Sequence, residues 1–152
     1  MAIQIDVNVL LGIHQKDPDY IAYVQANRAN GLRYNEAAAN EFLVHESPAE
    51  LQNLEQTFGL SRIQDVTLAE IDVAGQLLQD AFLSDPWGRI IHENDARVAA
   101  TAFIKKEKLA TGDLKFFKRG LDLGLQMEFI GSGNAKAKAL AYVTKPVQIP
   151  KP

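Results

Sequence analysis

The sequence predicts an α/β domain built around a central parallel sheet. Three observations carry that reading. Short β-favouring apolar runs alternate with longer helical patterns, as in βαβ units whose sheet is covered on both faces. Helix-start signals fall between those runs, at Asp17-Pro18, Ser47-Pro48-Ala49-Glu50 and Thr67 with Glu70. The 152 residues suit one domain with a proper core, and no repeat or linker divides them.

Taken in order, Ile3, Ile5, Val7 and Val9 alternate, and Leu10 and Leu11 extend the run, which reads as a short buried strand. Asp17-Pro18 is an N-cap with Pro at the first helical position, and Gly31 is the stop of that stretch. Leu32–Tyr34 reads as a second strand. Asn35 caps a helix through Ala37-Ala38-Ala39 to Val44, and Ser47-Pro48 opens another that ends near Gly59. Ile63–Val66 reads as a strand. Thr67 and Glu70 then open a helix with Ile71, Ala74, Leu77, Leu78 and Ala81 on one face. Asp85-Pro86-Trp87-Gly88 is a turn, with Trp87 read first as a core anchor and second as a base-stacking or dimer contact. Asn94 caps a helix from Asp95 to about Lys106. Leu109–Thr111 is a strand, Leu114–Arg119 a helical turn or two, and Met127–Ile130 a last strand. Beyond Gly131 the chain is rich in Gly, Lys and Pro, with Ala137–Val143 its only apolar cluster. The organisation expected is a main domain over residues 1–130 and a basic, Pro-containing extension over 131–152, disordered at its Pro-rich end.

Composition removes several classes. Hydrophobic residues are 47% and charged residues 23%, the balance of a globular protein. No apolar run approaches the ~20 residues that span a bilayer, and no basic-then-apolar leader precedes Asp6, so membrane and signal-bearing secreted proteins are poor readings. The chain has no cysteine. That excludes disulfides, thiolate zinc sites, iron–sulfur clusters and cysteine nucleophiles, and fits a reducing cytoplasm. The net charge of −3 is unevenly spread: residues 1–110 carry 9 Lys/Arg against 16 Asp/Glu, and residues 111–152 carry 7 against 3. The usual motifs are missing. There is no P-loop and no Gly-x-Ser-x-Gly elbow, and Gly131-Ser132-Gly133 lacks the third glycine of a dinucleotide fingerprint. His14, His45 and His92 show no metal-ligand spacing.

What remains is carboxylates in unusual places. Asp6 falls in the first apolar run, where strands disfavour Asp and an unpaired buried charge is costly. Asp113 closes the strand Leu109-Ala110-Thr111-Gly112-Asp113, where it also reads as a turn residue or a helix cap. Ligands of open parallel sheets bind outside the C-terminal strand ends, where Asp6 and Asp113 meet if their strands are neighbours. Asp95 lies in the first turn of a helix continued by small residues, where it also complements the helix dipole. Glu41 sits in Asn40-Glu41-Phe42-Leu43-Val44, an acid in an apolar stretch or a solvated helix residue. If the four converge, they repel one another and protonate unless a cation neutralises them. All-oxygen ligation selects Mg²⁺ or Mn²⁺, which prefer phosphate as a further ligand and activate water against a phosphodiester. That is the chemistry of a metal-dependent nuclease.

Four blocks, in order, resemble the PIN-domain family, and most of all the ribonuclease toxins of the VapC type. They are Asp6-Val7-Asn8-Val9-Leu10-Leu11, Asn40-Glu41-Phe42, Asn94-Asp95-Ala96-Arg97-Val98-Ala99-Ala100-Thr101-Ala102, and Leu109-Ala110-Thr111-Gly112-Asp113-Leu114-Lys115-Phe116. The resemblance runs from Ile3 to about Ile130. It implies a three-layer α/β/α fold and a Mg²⁺ or Mn²⁺ pocket of Asp6, Glu41, Asp95 and Asp113, with Asn8 and Thr111 supporting ligands or substrate. It implies hydrolysis of RNA by metal-activated water, a homodimer, and an antitoxin partner where the protein is a toxin. Lys105, Lys106, Lys108, Lys115, Lys118 and Arg119 are candidate contacts to the RNA backbone, or equally a solvated rim. Many relatives carry an acid where this chain has Lys115, which leaves open a non-catalytic binding module of the same fold. The basic tail with Lys136, Lys138, Lys145 and Lys151 is a candidate for RNA or partner contacts, or for neither.

Overall fold

The computed structural model describes residues 2–83 and 91–144. Trp87 and its turn, and the Pro-rich end of the extension, lie outside these residues. Five short strands form one all-parallel sheet in the order β3-β2-β1-β4-β5, with helices in layers on its two faces. The strands are β1 (Ile3–Ile5), β2 (Leu32–Tyr34), β3 (Leu60–Arg62), β4 (Lys108–Thr111) and β5 (Met127–Phe129). The helices are α1 (Val7–His14), α2 (Pro18–Asn27), α3 (Glu36–His45), α4 (Pro48–Phe58), α5 (Leu68–Leu83), α6 (Glu93–Lys105), α7 (Leu114–Asp122) and α8 (Gly133–Thr144). No helix among the described residues is long and apolar enough to cross a membrane.

The first apolar run divides in a way its alternation hides. Only Ile3–Ile5 is strand, and Asp6 is the N-cap of α1. Val7, Val9, Leu10 and Ile13 are all buried, because this helix is enclosed on most sides, and a fully buried short run has no periodicity to reveal its type. Asp6 therefore ends a strand and does not interrupt one. The expected strand at Ile63–Val66 moves to Leu60–Arg62, directly after the left-handed Gly59 that closes α4. Ile63 and Val66 instead pack with Ile71, Ala74 and Ala100. On α5, Ile71, Ala74 and Leu78 are buried, but Leu77 and Ala81 face solvent. The residue capping α6 is His92, two positions before the Asn94 expected. Residues 133–144, in the Gly- and Lys-rich stretch, form α8, whose Ala139 packs with Phe117 and Phe129.

The other capping signals hold. Asp17, Asn35, Ser47 and Asp113 each accept a backbone N–H at the start of their helices, and Thr67 and Glu70 exchange hydrogen bonds as a capping box. A buried polar chain then fixes two helices to the sheet. The Asn35 side chain caps α3 through Ala38 N–H (2.9 Å) and donates to the carbonyls of Arg97 and Val98 and to Thr101 Oγ1. Thr101 in turn donates to Gln4 of β1. Helices α3 and α6 are thus held at a set position above β1.

Candidate metal centre

Strand order places the site. From β1 the chain runs to β2 and β3 on one side and to β4 and β5 on the other, so the order reverses between β1 and β4. Ligands gather at such a point, beyond the C-terminal strand ends. Ile5 pairs with Ala110, which puts Asp6 beside Thr111. Asp6 is 1% exposed. Its backbone N–H bonds Ala110 C=O, and the Thr111 hydroxyl donates to its Oδ2 at 2.8 Å. The other carboxyl oxygen, Oδ1, is buried with no hydrogen-bond partner.

The remaining acids arrive on separate elements. Asp113 follows β4; its N–H donates to Thr111 Oγ1 (3.1 Å) and its Oδ1 caps α7 through Phe116 N–H (3.1 Å). Thr111 thereby ties Asp6 and Asp113 to one hydroxyl. Asp95 comes from the first turn of α6 and Glu41 from the middle of α3, both half-buried. Asn8 stands in the first turn of α1, half-buried, and its side chain makes no hydrogen bond among the described residues.

Electrostatics join the four into one group. Burial pushes the Asp6 carboxyl up to about 7; the Thr111 hydroxyl and, more weakly, the Val7 backbone N–H pull it back, and the charges of Asp95 and Glu41 add to the rise. Burial likewise lifts Asp95 to about 6, helped by Asp113 and Glu41 and opposed by His92 and Lys115. Lys115 is thus close enough to favour the carboxylate form of Asp95. A buried carboxyl oxygen without a donor, among three further acids, is an arrangement that a hard cation completes, and every donor is oxygen. The donor set fits a divalent metal.

Two features escaped the sequence. Tyr20 of α2 packs its ring on Gly12 and its hydroxyl against Gly112, and Asp6 and Asp113 are among the charges that, with burial, raise its pKa. Nothing in its neighbourhood along the chain marks it, because Gly12 and Gly112 leave the room only once α1, α2 and the β4–α7 turn are assembled. A Cβ at Gly112 would stand 1.7 Å from the Tyr20 hydroxyl oxygen. Gly112→Ala is expected to swing Tyr20 away and cost about 1–3 kcal/mol. In a urea-unfolding cycle with Tyr20→Ala, the double variant should lose less than the sum of the single losses.

The second feature corrects the reading of the histidines. His14 Nε2 lies 3.2 Å from carboxylate oxygens of both Glu46 and Glu50. Among the described residues this is the one set of three or more potential ligands whose atoms lie within 4.8 Å of one another, so the four acids at the strand ends are spaced more widely. His14 ends α1, Glu46 follows α3 and Glu50 is in α4, so the contact clamps three helices. No local spacing could show a triad drawn from three elements.

No protein-family model matches the sequence, and no curated protein is found as a sequence relative. Solved structures match the fold. VapBC2 from Rickettsia felis, bound to a DNA fragment from their promoter, aligns with a TM-score of 0.62 at 18% identity, over 86% of this chain and 100% of that one. VapBC-1 from nontypeable Haemophilus influenzae gives 0.57 at 18%, over 85% and 98%. A toxin–antitoxin complex from Klebsiella pneumoniae gives 0.53 at 17%, over 76% and 89%. Identities this low establish architecture and nothing finer. With its five-stranded parallel sheet, its layers of helices and these structural neighbours, the chain has a three-layer α/β/α PIN fold.

Proposed function

We propose that this protein is a Mg²⁺- or Mn²⁺-dependent endoribonuclease, acting as the toxin of a toxin–antitoxin pair. The observation that carries the reading is the buried, donorless Asp6 Oδ1 at the reversal of strand order, with Glu41, Asp95 and Asp113 raising the cost of its charge or that of its neighbours. Asp6, Glu41, Asp95 and Asp113 would hold the ion. A bound ion of this class activates water and stabilises the charge that develops on a phosphodiester. Thr111 fixes the Asp6 carboxyl through Oδ2, which leaves Oδ1 to face the ion. Because its N–H rests on Thr111 and one oxygen caps α7, Asp113 is also held in place before substrate arrives. Lys115 supplies a cation at the rim, where a phosphate of the RNA would lie.

The structural neighbours named as VapBC and toxin–antitoxin complexes support an antitoxin partner, and the resemblance supports a homodimer. Purified protein is expected to cleave a mixed RNA pool with Mn²⁺ and to stop when EDTA is added. Lys115, in place of an acid, favours a second reading, a PIN-fold module that binds and does not cut. Calorimetric titration separates the two: Mn²⁺ uptake without the His14–Glu46–Glu50 set, tested in His14→Ala, supports the enzyme. No uptake and no cleavage would leave the binding module.

A further inference from the structure

A cleft of about 360 Å³ opens beside the acids, between α3, α5 and α6. Asn40, Glu41 and Val44 line it from one face of α3, Leu68 from α5, and Asn94 and Arg97 from α6. Glu41 lines the cleft and is coupled to Asp6 and Asp95, so the cleft adjoins the acid group. Its volume is at the small end of ligand sites, room for one nucleoside unit and too little for a helix.

Three properties of the lining define what enters. Val44 and Leu68 are 74% and 47% exposed, large apolar side chains left in water at the mouth. The amides of Asn40 and Asn94 make no hydrogen bond among the described residues. Each offers two donors and an acceptor, the complement of a base edge. Arg97 is already matched: its Nε contacts Asp72 at 3.0 Å and its terminal nitrogen contacts Glu93 at 2.7 Å. Pinned by two carboxylates, its flat guanidinium is a surface on which a base can stack, and it has little charge left for a phosphate. With Glu41 and Asp72 in the wall, the cleft repels anions. Its ligand is flat, neutral, hydrogen-bonding and partly apolar.

The geometry points to a base-reading subsite: one unstacked base of single-stranded RNA enters this cleft, read by Asn40 and Asn94, while the adjoining phosphate lies at the four acids. This assignment rests on the ribonuclease reading. Proteins that select RNA sequence take splayed bases in this way.

The test is a titration of ¹⁵N-labelled wild-type protein in EDTA with tetramers of A, C, G or U joined by neutral methylphosphonate linkages, which the metal-free acids neither repel nor cleave. The side-chain amide signals of Asn40 and Asn94 should shift and saturate, with one tetramer bound at least about fivefold more tightly than the weakest. In Asn94→Ala and in Asn40→Ala, both changes at exposed positions, that preference should narrow to within about twofold. Absence of shifts with every tetramer, or an unchanged preference in both variants, overturns the subsite. Shifts caused by an arginine-containing peptide and by no RNA would assign the cleft to a protein partner and overturn it too. Mn²⁺-dependent cleavage is measured separately. Shifts at the two amides in a protein that cuts nothing would retain the subsite and remove the nuclease. Cleavage without shifts would do the reverse.

Discussion

Asp6→Asn is expected to make the metal-free protein more stable at pH 8 while removing its metal-dependent activity. The substitution keeps the shape of the side chain and an acceptor for the Thr111 hydroxyl. It removes a charge that burial has pushed up to about 7, against a usual 3.8. That shift corresponds to about 4 kcal/mol of destabilisation once the carboxyl is ionised. The Asn Nδ2 then lies where Oδ1 was buried without a partner, which returns part of the gain. A net stabilisation of about 1–3 kcal/mol remains, seen as a higher melting temperature in EDTA. At pH 5 the folded Asp6 is protonated but the unfolded one is ionised, so about 1.6 kcal/mol of the penalty remains, and the advantage of the variant should be about 2–3 kcal/mol smaller than at pH 8. Cleavage with Mn²⁺ should fall about a thousandfold or more, since a lost ligand costs several kcal/mol in the transition state. A variant that keeps full cleavage would remove Asp6 from the centre. One that melts lower than wild type at pH 8 would show that its charge is already compensated.

The second large effect is a stability whose fall with rising pH becomes shallower when metal is added. Asp6 and Asp95 titrate at about 7 and about 6 in the folded protein, and near 3.8 when unfolded. Between about pH 4 and pH 7 the folded chain therefore holds protons that the unfolded chain has released. Under that condition stability falls as pH rises, and the whole penalty is present above about 7. Metal-free wild type should melt lower at pH 8 than at pH 5, and its difference from Asp6→Asn isolates the contribution of Asp6. A divalent ion competes with those same protons and binds better as pH rises. Mn²⁺ at a hundredfold excess over its dissociation constant adds about 2.7 kcal/mol. The melting temperature in Mn²⁺ should thus gain most at pH 8. A gain of equal size at pH 5 and pH 8 would place the ion away from Asp6 and Asp95.

These effects trace to residues of unequal legibility. Asp6 stood out because an acid in an apolar run is costly wherever that run folds. Its exact setting did not: a buried strand and a buried helix share the same continuous apolarity, so the boundary at Ile5 was hidden. Asp113 and Asp95 were visible as helix-start acids, and their caps and first-turn positions are local chemistry. Tyr20 and the His14–Glu46–Glu50 clamp were invisible, because each depends on partners from elements distant along the chain. The cleft beside Glu41 is of the same kind, assembled from one face of each of three helices.

Except for α1, α8 and the place of β3, the alternation of strands and helices follows from residue types and their spacing within a dozen positions, as do most of the helix caps, the absence of cysteine chemistry and the candidate acids. Those are short-range properties, carried by backbone hydrogen bonding and side-chain geometry along one segment. The electrostatic coupling of Asp6 and Asp95 to one another and to Glu41 and Asp113, the orphaned oxygen of Asp6 and the shared hydroxyl of Thr111 are long-range. They exist because parallel pairing of Ile5 with Ala110 places residues 6 and 111 side by side, and because the Asn35–Thr101–Gln4 chain holds α3 and α6 above them. A carboxyl acquires a perturbed charge only when water is excluded and other charges are brought near, and both conditions come from packing.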